Sequence, residues 1–224
     1  DYAREFKNEI KFETGIKYNN RSEFNSRDQY SGAPLLPRIS NKYDYSEKLF
    51  AAYSNANMKL NDFSFQLGLR AESREYNGNI LNSKGFDSLQ FNNSYPISLF
   101  PSAFINYKKN DKEDIQLNYS KRISPPNFFQ MMPFPDYSDP QNISVGNPNL
   151  KPQFTHSFEL AYNNAYKKGA NFLATAYYKY STDLITNYIY RAINPITNDS
   201  AYFSSSMNAN TALVYGLELS NKLA

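Results

Sequence analysis

Apolar and polar residues alternate along most of this chain, with the period of two that a β-strand produces by turning successive side chains to opposite faces. Between residues 5 and 20, Phe6, Ile10, Phe12, Ile16 and Tyr18 share one face, and Lys7, Glu9, Lys11, Glu13 and Lys17 share the other. A second strand is predicted over 46–60, where the alternation is weakest. After the short turn Leu60-Asn61-Asp62, Phe63, Phe65, Leu67, Leu69 and Ala71 oppose Ser64, Gln66, Arg70 and Glu72. A strand over 97–107 contains Pro101, which lacks an N–H and therefore belongs at a bulge or a non-donating position. Over 114–122, Ile115, Leu117 and Tyr119 oppose Asp114, Gln116, Asn118 and Ser120. Further on, Phe154, Phe158, Leu160 and Tyr162 oppose Ser157, Glu159 and Asn163. A long strand from Asn171 to Tyr190 is predicted to kink near Thr182-Asp183, and a last one carries Leu213, Tyr215, Leu217 and Leu219 against Gly216 and Glu218. The pattern thus predicts eight strands in an all-β, antiparallel, up-and-down order, and no helix of useful length.

The connections alternate between short and long. Short turns fall near Asn61, Asn110 and Lys168; long loops are predicted over 21–45 (with Gly32, Pro34 and Pro37), 73–96 (with Gly78 and Gly85), 123–153 and 191–210. Pro125, Pro126, Pro133, Pro135, Pro140, Pro148 and Pro152 interrupt strand pairing in the third of these, because proline has no amide hydrogen to donate. Gly146-Asn147-Pro148 reads as the tight turn that returns the chain to the sheet. Structureless loops beyond roughly 15 residues are uncommon in compact domains and are usually functional. This one concentrates Phe128, Phe129, Met131, Met132, Phe134 and Tyr137. Such a cluster either packs the loop on its own side chains or offers a surface to a ligand or partner.

Composition narrows the class. At 224 residues the chain is one domain or part of a larger one. It has no cysteine, which excludes disulfides and thiolate metal sites. A net charge of +3 with both signs well mixed gives no basic footprint for nucleic acid. The 20 Tyr and 17 Phe suit a membrane–water interface or a ligand-contact surface. No apolar run approaches the ~20 residues of a transmembrane helix, and the opening DYAREFKNEI lacks the pattern of a signal peptide. A mean hydropathy of -0.68 does not count against a transmembrane barrel, whose strands are apolar only at every second residue.

Candidate chemistry is sparse. His156 stands alone on an apolar face, without partners at ligand spacing, and is expected to be structural and interfacial. Asp111-Lys112-Glu113-Asp114 interleaves charges in a tight turn and reads as solvated; Ser204-Ser205-Ser206 has no base nearby and reads as polar strand or loop. No G-x-S-x-G, P-loop, H-E-x-x-H or GxGxxG motif occurs. No enzyme activity, metal or cofactor is expected.

Several phrases carry a resemblance. From Tyr119, the run SKRISPPNFF is followed by Asp139-Pro140, GNPNLKP at Gly146–Pro152 and ELAY at Glu159–Tyr162. GLRAE at Gly68–Glu72, SLFPSAFINY at Ser98–Tyr107, YYKYSTDLI at Tyr177–Ile185 and YGLELS at Tyr215–Ser220 complete the series. In this order and spacing they resemble the barrel domain of TonB-dependent outer-membrane receptors, and within it the outer-membrane β-barrel family found in Bacteroidetes. The resemblance implies a segment of an antiparallel transmembrane β-barrel in the bacterial outer membrane, with its short turns periplasmic and its long loops extracellular. It implies nutrient import, driven by a TonB complex that acts through an N-terminal plug lying outside these residues. Partners would be outer-membrane lipid and a small-molecule, peptide or glycan ligand. Lys11, Glu13, Arg70, Glu72, Gln116, Asn118 and Glu159 would line the lumen. The phenyl, thioether and phenol groups of the long loop would contact ligand, while Gly146, Asn147, Pro148, Leu150, Lys151 and Pro152 would be a structural signature.

Two other readings share the alternation: a complete small eight-stranded barrel with a structural or adhesive role, and a soluble β-sandwich binding module. Against the first stand the signature phrases and an end, Asn221-Lys222-Leu223-Ala224, without the terminal aromatic of barrel proteins. Against the second stands strand length, since several strands reach the ~9–11 residues that span a bilayer. Large plugged transporters have about 22 strands. Residues 5–20 and 211–222 are therefore expected not to pair with each other, but to be flanked by strands outside this segment.

Overall fold

The computed structural model describes residues 1–6, 9–29, 39–81, 87–133 and 135–223. Nearly all of them belong to one ten-stranded sheet. β1 (Tyr2–Phe6), β2 (Ile10–Gln29), β3 (Ile39–Leu60), β4 (Phe63–Leu81), β5 (Asp87–Lys108) and β6 (Glu113–Ser124) follow one another, each antiparallel to the last. A connection then carries one turn of helix, α1 (Phe128–Met131), and a short strand, β7 (Asn142–Ser144). β8 (Gln153–Lys167), β9 (Ala170–Ile193) and β10 (Ser200–Lys222) complete the sheet. β8 pairs with β6 directly, and β7 lies parallel on the far edge of β10. β1 and β10 do not pair, so the sheet is not closed.

The register turns sequence alternation into two surfaces. One row of partners crosses the sheet through Phe12, Ala56, Leu67, Ala103, Tyr119, Phe158, Tyr178 and Tyr215. The row beside it runs through Lys11, Asn57, Gln66, Phe104, Asn118, Glu159, Tyr177 and Gly216. The first row is wholly apolar or aromatic, yet Leu67 is 53% exposed and Tyr215 73%. An apolar face left open across a whole sheet marks a surface that something other than water covers. His156 lies on this face, with Nδ1 2.9 Å from the Tyr119 hydroxyl and its ring stacked on that of Tyr119.

The tight turns stand where expected, and backbone sterics explain their residues. Asn61 and Gly169 both take positive φ, a conformation open to glycine and tolerated by asparagine. Asp183 does the same in the middle of β9, at the level where β8 stops pairing. This local departure from extended backbone falls where the kink is expected. β5 pairs with β6 only from Ser102 toward the turn, so Pro101 sits where β6 no longer needs a donor. Beyond that point the two strands part. Phe100 stacks on Phe154 there, with the Lys121 ammonium over both rings.

The structure corrects three expectations. The stretch 5–20 is not one strand but a hairpin, in which Phe6 pairs with Ile10 and Glu9 has positive φ. A three-residue link preserves the odd–even count, so the alternation runs through the reversal unbroken. The loops predicted over 21–45, 73–96 and 191–210 are largely strand: β2 reaches Gln29, β3 begins at Ile39, β4 reaches Leu81, β5 begins at Asp87, and only Asn194–Asp199 separates β9 from β10. Past the apolar band these hairpins keep their ladders but have no single apolar face, so period two fades. The eight predicted strands are all present, with β1 and β7 in addition. The single turn α1, four residues long, agrees with the expectation of no helix of useful length. Lys7, Gly32, Pro34, Pro37, Gly85 and Phe134 lie outside the described residues.

Candidate functional site

The seven predicted lumen residues share one face. Lys11 and Glu13 form an ion pair of 2.6 Å on β2. On β4, Glu72 is buried between two guanidinium groups, paired with Arg70 and, at 3.0 Å, with Arg74; Arg74 also holds Glu47 at 3.2 Å. Charge alternates along this chain of contacts, so each buried charge has an opposite neighbour, which burial requires. Gln116 donates to Asp114 at 2.9 Å, and Ser157 donates to Glu159 at 3.1 Å. The amide oxygens of Asn106 and Asn118 are buried and accept no hydrogen bond within the described residues. Gln66, Ser102, Asn118, Arg122, Glu159 and Lys179 line a concavity of about 480 Å³ on this face. Among the described residues no group of His, Cys, Asp and Glu is placed to hold a metal.

The connection between β6 and β8 crosses this polar face at the end of the sheet away from the tight turns. α1 starts with a capping box: the Asn127 side chain accepts from Gln130 N, and Gln130 Oε1 accepts from Asn127 N, both at 2.9 Å. Met131 is completely enclosed against Tyr45 of β3 and Tyr76 of β4, while Phe128 packs on Tyr43 and Tyr45. Asn93 of β5 donates to Pro148 O, and the Tyr95 hydroxyl donates to Leu150 O at 2.6 Å. The other arm reaches β10. Val145 N donates to Ser204 O at 2.9 Å, the Asn147 side chain donates to Ser206 O at 3.1 Å, and Lys151 N donates to Asn208 Oδ1 at 2.8 Å. Ile143, Ala201 and Phe203 form a small buried cluster beneath these bonds. The sheet order separates β3 from β10 by β4, β5, β6, β8 and β9. The sheet therefore curls far enough for one connection to touch both.

Gly146 joins the two arms. Its N–H donates to Met132 O at 2.8 Å, and a Cβ there would lie 2.3 Å from that oxygen, so only glycine permits the approach. Asn147 makes the expected turn, its Oδ1 accepting from Asn149 N at 3.0 Å. Leu150 and Pro152 are buried. Further along, Asp139 accepts from the Asn142 side chain and from Gln141 N, both at 2.9 Å, and these bonds hold its carboxyl below the usual range. The aromatic–Met cluster thus divides. Phe128 and Met131 anchor, Met132 and Tyr137 are half-buried, and Phe129 is 72% exposed on a turn fixed at both ends.

Sequence reading missed Tyr43, Tyr45, Tyr76, Asn93 and Tyr95 as the seat of the connection. Their one signal is the pair Tyr43 and Tyr45 at strand spacing inside the predicted loop 21–45; both rings pack on Phe128 because the connection covers that end of the polar face. Ser204, Ser205 and Ser206 are strand, and Ser204 and Ser206 accept the bonds that tie the connection down.

Residues 1–224 match the family model described as the outer membrane protein beta-barrel family. No match was found among curated proteins. Solved structures with the same fold include the ferric yersiniabactin uptake receptor FyuA of Yersinia pestis, 14% identical with a TM-score of 0.63 over 98% of this chain and 30% of that one. The hemophore receptor HasR of Serratia marcescens is 14% identical with a TM-score of 0.59, over 95% and 40% of the two chains. The siderophore receptor PirA of Pseudomonas aeruginosa is 16% identical with a TM-score of 0.51, over 94% and 49%. The chain spans less than half the length of each of these receptors. Its two-faced antiparallel sheet, matched from end to end, belongs to the outer membrane protein beta-barrel family, and the protein resides in the bacterial outer membrane.

Proposed function

We propose that this chain forms part of the wall and mouth of a larger TonB-dependent receptor that imports a scarce nutrient. The observation that carries the reading is the connection between β6 and β8, folded across the polar face, seated on β3–β5 and β10, and holding Phe129 out on a fixed turn. On this reading the tight turns are periplasmic and the connection extracellular. The row through Lys11, Gln66, Asn118 and Glu159, with Glu13, Arg70, Glu72 and Gln116 beside it, lines the lumen. A plug encoded outside these residues fills that lumen, and TonB acts on the plug. The ligand is a small molecule, peptide or glycan met first by the connection, and no step is catalytic.

The test uses cells carrying the full-length receptor, offered ferric siderophores, heme, cobalamin or oligosaccharides one at a time as the only source of the nutrient. One class should be taken up, and a protonophore should abolish that uptake. Phe129→Ala should insert normally and lower the uptake rate at limiting substrate about tenfold, the weight of one aromatic contact of modest strength. Uptake that survives the protonophore, or that ignores Phe129→Ala, contradicts the proposal.

A further inference from the structure

The far edge of β10 is divided. At its outer end, β7 runs parallel to it, with Tyr202, Phe203 and Ser204 opposite Asn142, Ile143 and Ser144. Tyr202 N donates to Gln141 O at 2.8 Å, Ser204 O accepts from Val145 N at 2.9 Å, and Ser206 O accepts from the Asn147 side chain. Alternate residues of a strand present their N–H and C=O groups to alternate edges. The series 202, 204, 206 is therefore the far-edge series, and the connection has taken it. From Asn208 toward Lys222 the same series meets no strand among the described residues. That open stretch carries the most exposed apolar side chains of the strand, with Tyr215 at 73% and Leu217 at 65%. It is the part that crosses the membrane, where lipid cannot satisfy an open ladder.

We infer that β7 stands in for a neighbouring strand at the outer end of β10, so that the next strand of the barrel pairs with β10 only between Asn208 and Lys222. The occupant of the open edge is a strand of the same protein outside this chain, an inference that rests on the reading of the chain as part of a larger barrel. Its chemistry follows from the faces it continues: apolar beside Leu213, Tyr215, Leu217 and Leu219, small or polar beside Gly216 and Glu218. Such a strand ends lower than β10. The outer end of β10 then stands above its neighbour, and the connection is built into the wall as a fixed strap.

Hydrogen–deuterium exchange of the full-length receptor in lipid nanodiscs tests this directly. Wild-type peptides covering 200–206 and 211–222 should both exchange slowly. Val145→Pro removes the donor to Ser204 O and lifts β7 from β10, so the Tyr202 amide, which donates to Gln141 O, should be freed and 200–206 should exchange about tenfold faster while 211–222 stays slow. If 200–206 remains slow in Val145→Pro and 211–222 is also slow, another strand covers the whole edge and the inference falls alone. Fast exchange over 211–222 in the wild type leaves that edge without a strand, and the larger-barrel reading falls with it. Should Val145→Pro fail to insert, Asn142→Cys with Tyr202→Cys supplies a second readout. These residues are opposed in the ladder, and the chain has no other cysteine. A disulfide forming in the membrane-embedded protein is expected; its absence overturns the inference.

Discussion

Leu67→Arg will destabilise the barrel in a bilayer by about 2–4 kcal/mol, the cost of arginine near the membrane midplane on a lipid-facing strand. Leu67 lies in the middle of the apolar side of β4, between Phe63 and Ala71, and its register partners Ala56 and Ala103 are also apolar. Gln66→Arg, one residue away, falls in the polar row between Asn57 and Phe104, where water reaches the side chain, and should be tolerated. Folding of both variants into lipid vesicles, followed by denaturant titration, separates them. Equal losses would mean that the two faces do not meet different solvents.

Met131→Ala will release the connection. The side chain is completely enclosed by Tyr45, Tyr76 and their neighbours, and truncating a methionine in such a site costs about 2–5 kcal/mol. Most of that loss should appear as local opening, because the ladders of β3 and β4 do not depend on it. Protease nicking within 135–150 of the full-length receptor should therefore accelerate at least tenfold, since about 1.4 kcal/mol corresponds to a factor of ten, with barrel melting unchanged. Phe129→Ala, truncating an exposed ring on the same turn, should leave nicking at the wild-type rate. If Met131→Ala is no faster than Phe129→Ala, the connection is not seated on β3 and β4.

On the proposed placement, the membrane-crossing parts of the strands are legible in sequence because lipid and water meet there across one strand. Leu67 and Gln66 differ for that reason, and so do Leu117 and Gln116. Where this contrast ends, so does the signal. β2 and β4 continue past Asn19 and Ser73 as hydrogen-bonded hairpins whose residues no longer sort by face. The reversal between Phe6 and Ile10 is hidden for a different reason, because its link keeps the parity of the strand.

The connection is visible as a long interruption, but its seat is not. Tyr95 and Leu150 are 55 residues apart, and Lys151 and Asn208 are 57 apart. Such contacts depend on how the sheet curls, which no local pattern encodes. Nor does composition distinguish Phe128 from Phe129. They are adjacent in sequence, yet one packs on Tyr43 and Tyr45 and the other points away. Only the direction of a single helical turn decides which is anchor and which is open to a ligand.

In the proposed receptor one face of this sheet meets lipid and the other lines an aqueous lumen. The absence of native cysteines in the chain makes a direct measurement possible. Single cysteines at Leu67, Leu117, Leu160 and Leu217, and at their neighbours Gln66, Gln116, Glu159 and Glu218, would be labelled with an environment-sensitive fluorophore in the full-length protein. The labels are then read in vesicles containing brominated lipid. Strong quenching at every leucine position and weak quenching at every neighbour is the expected result. Quenching that fails to alternate along β4, β6, β8 and β10 would overturn that assignment of the faces.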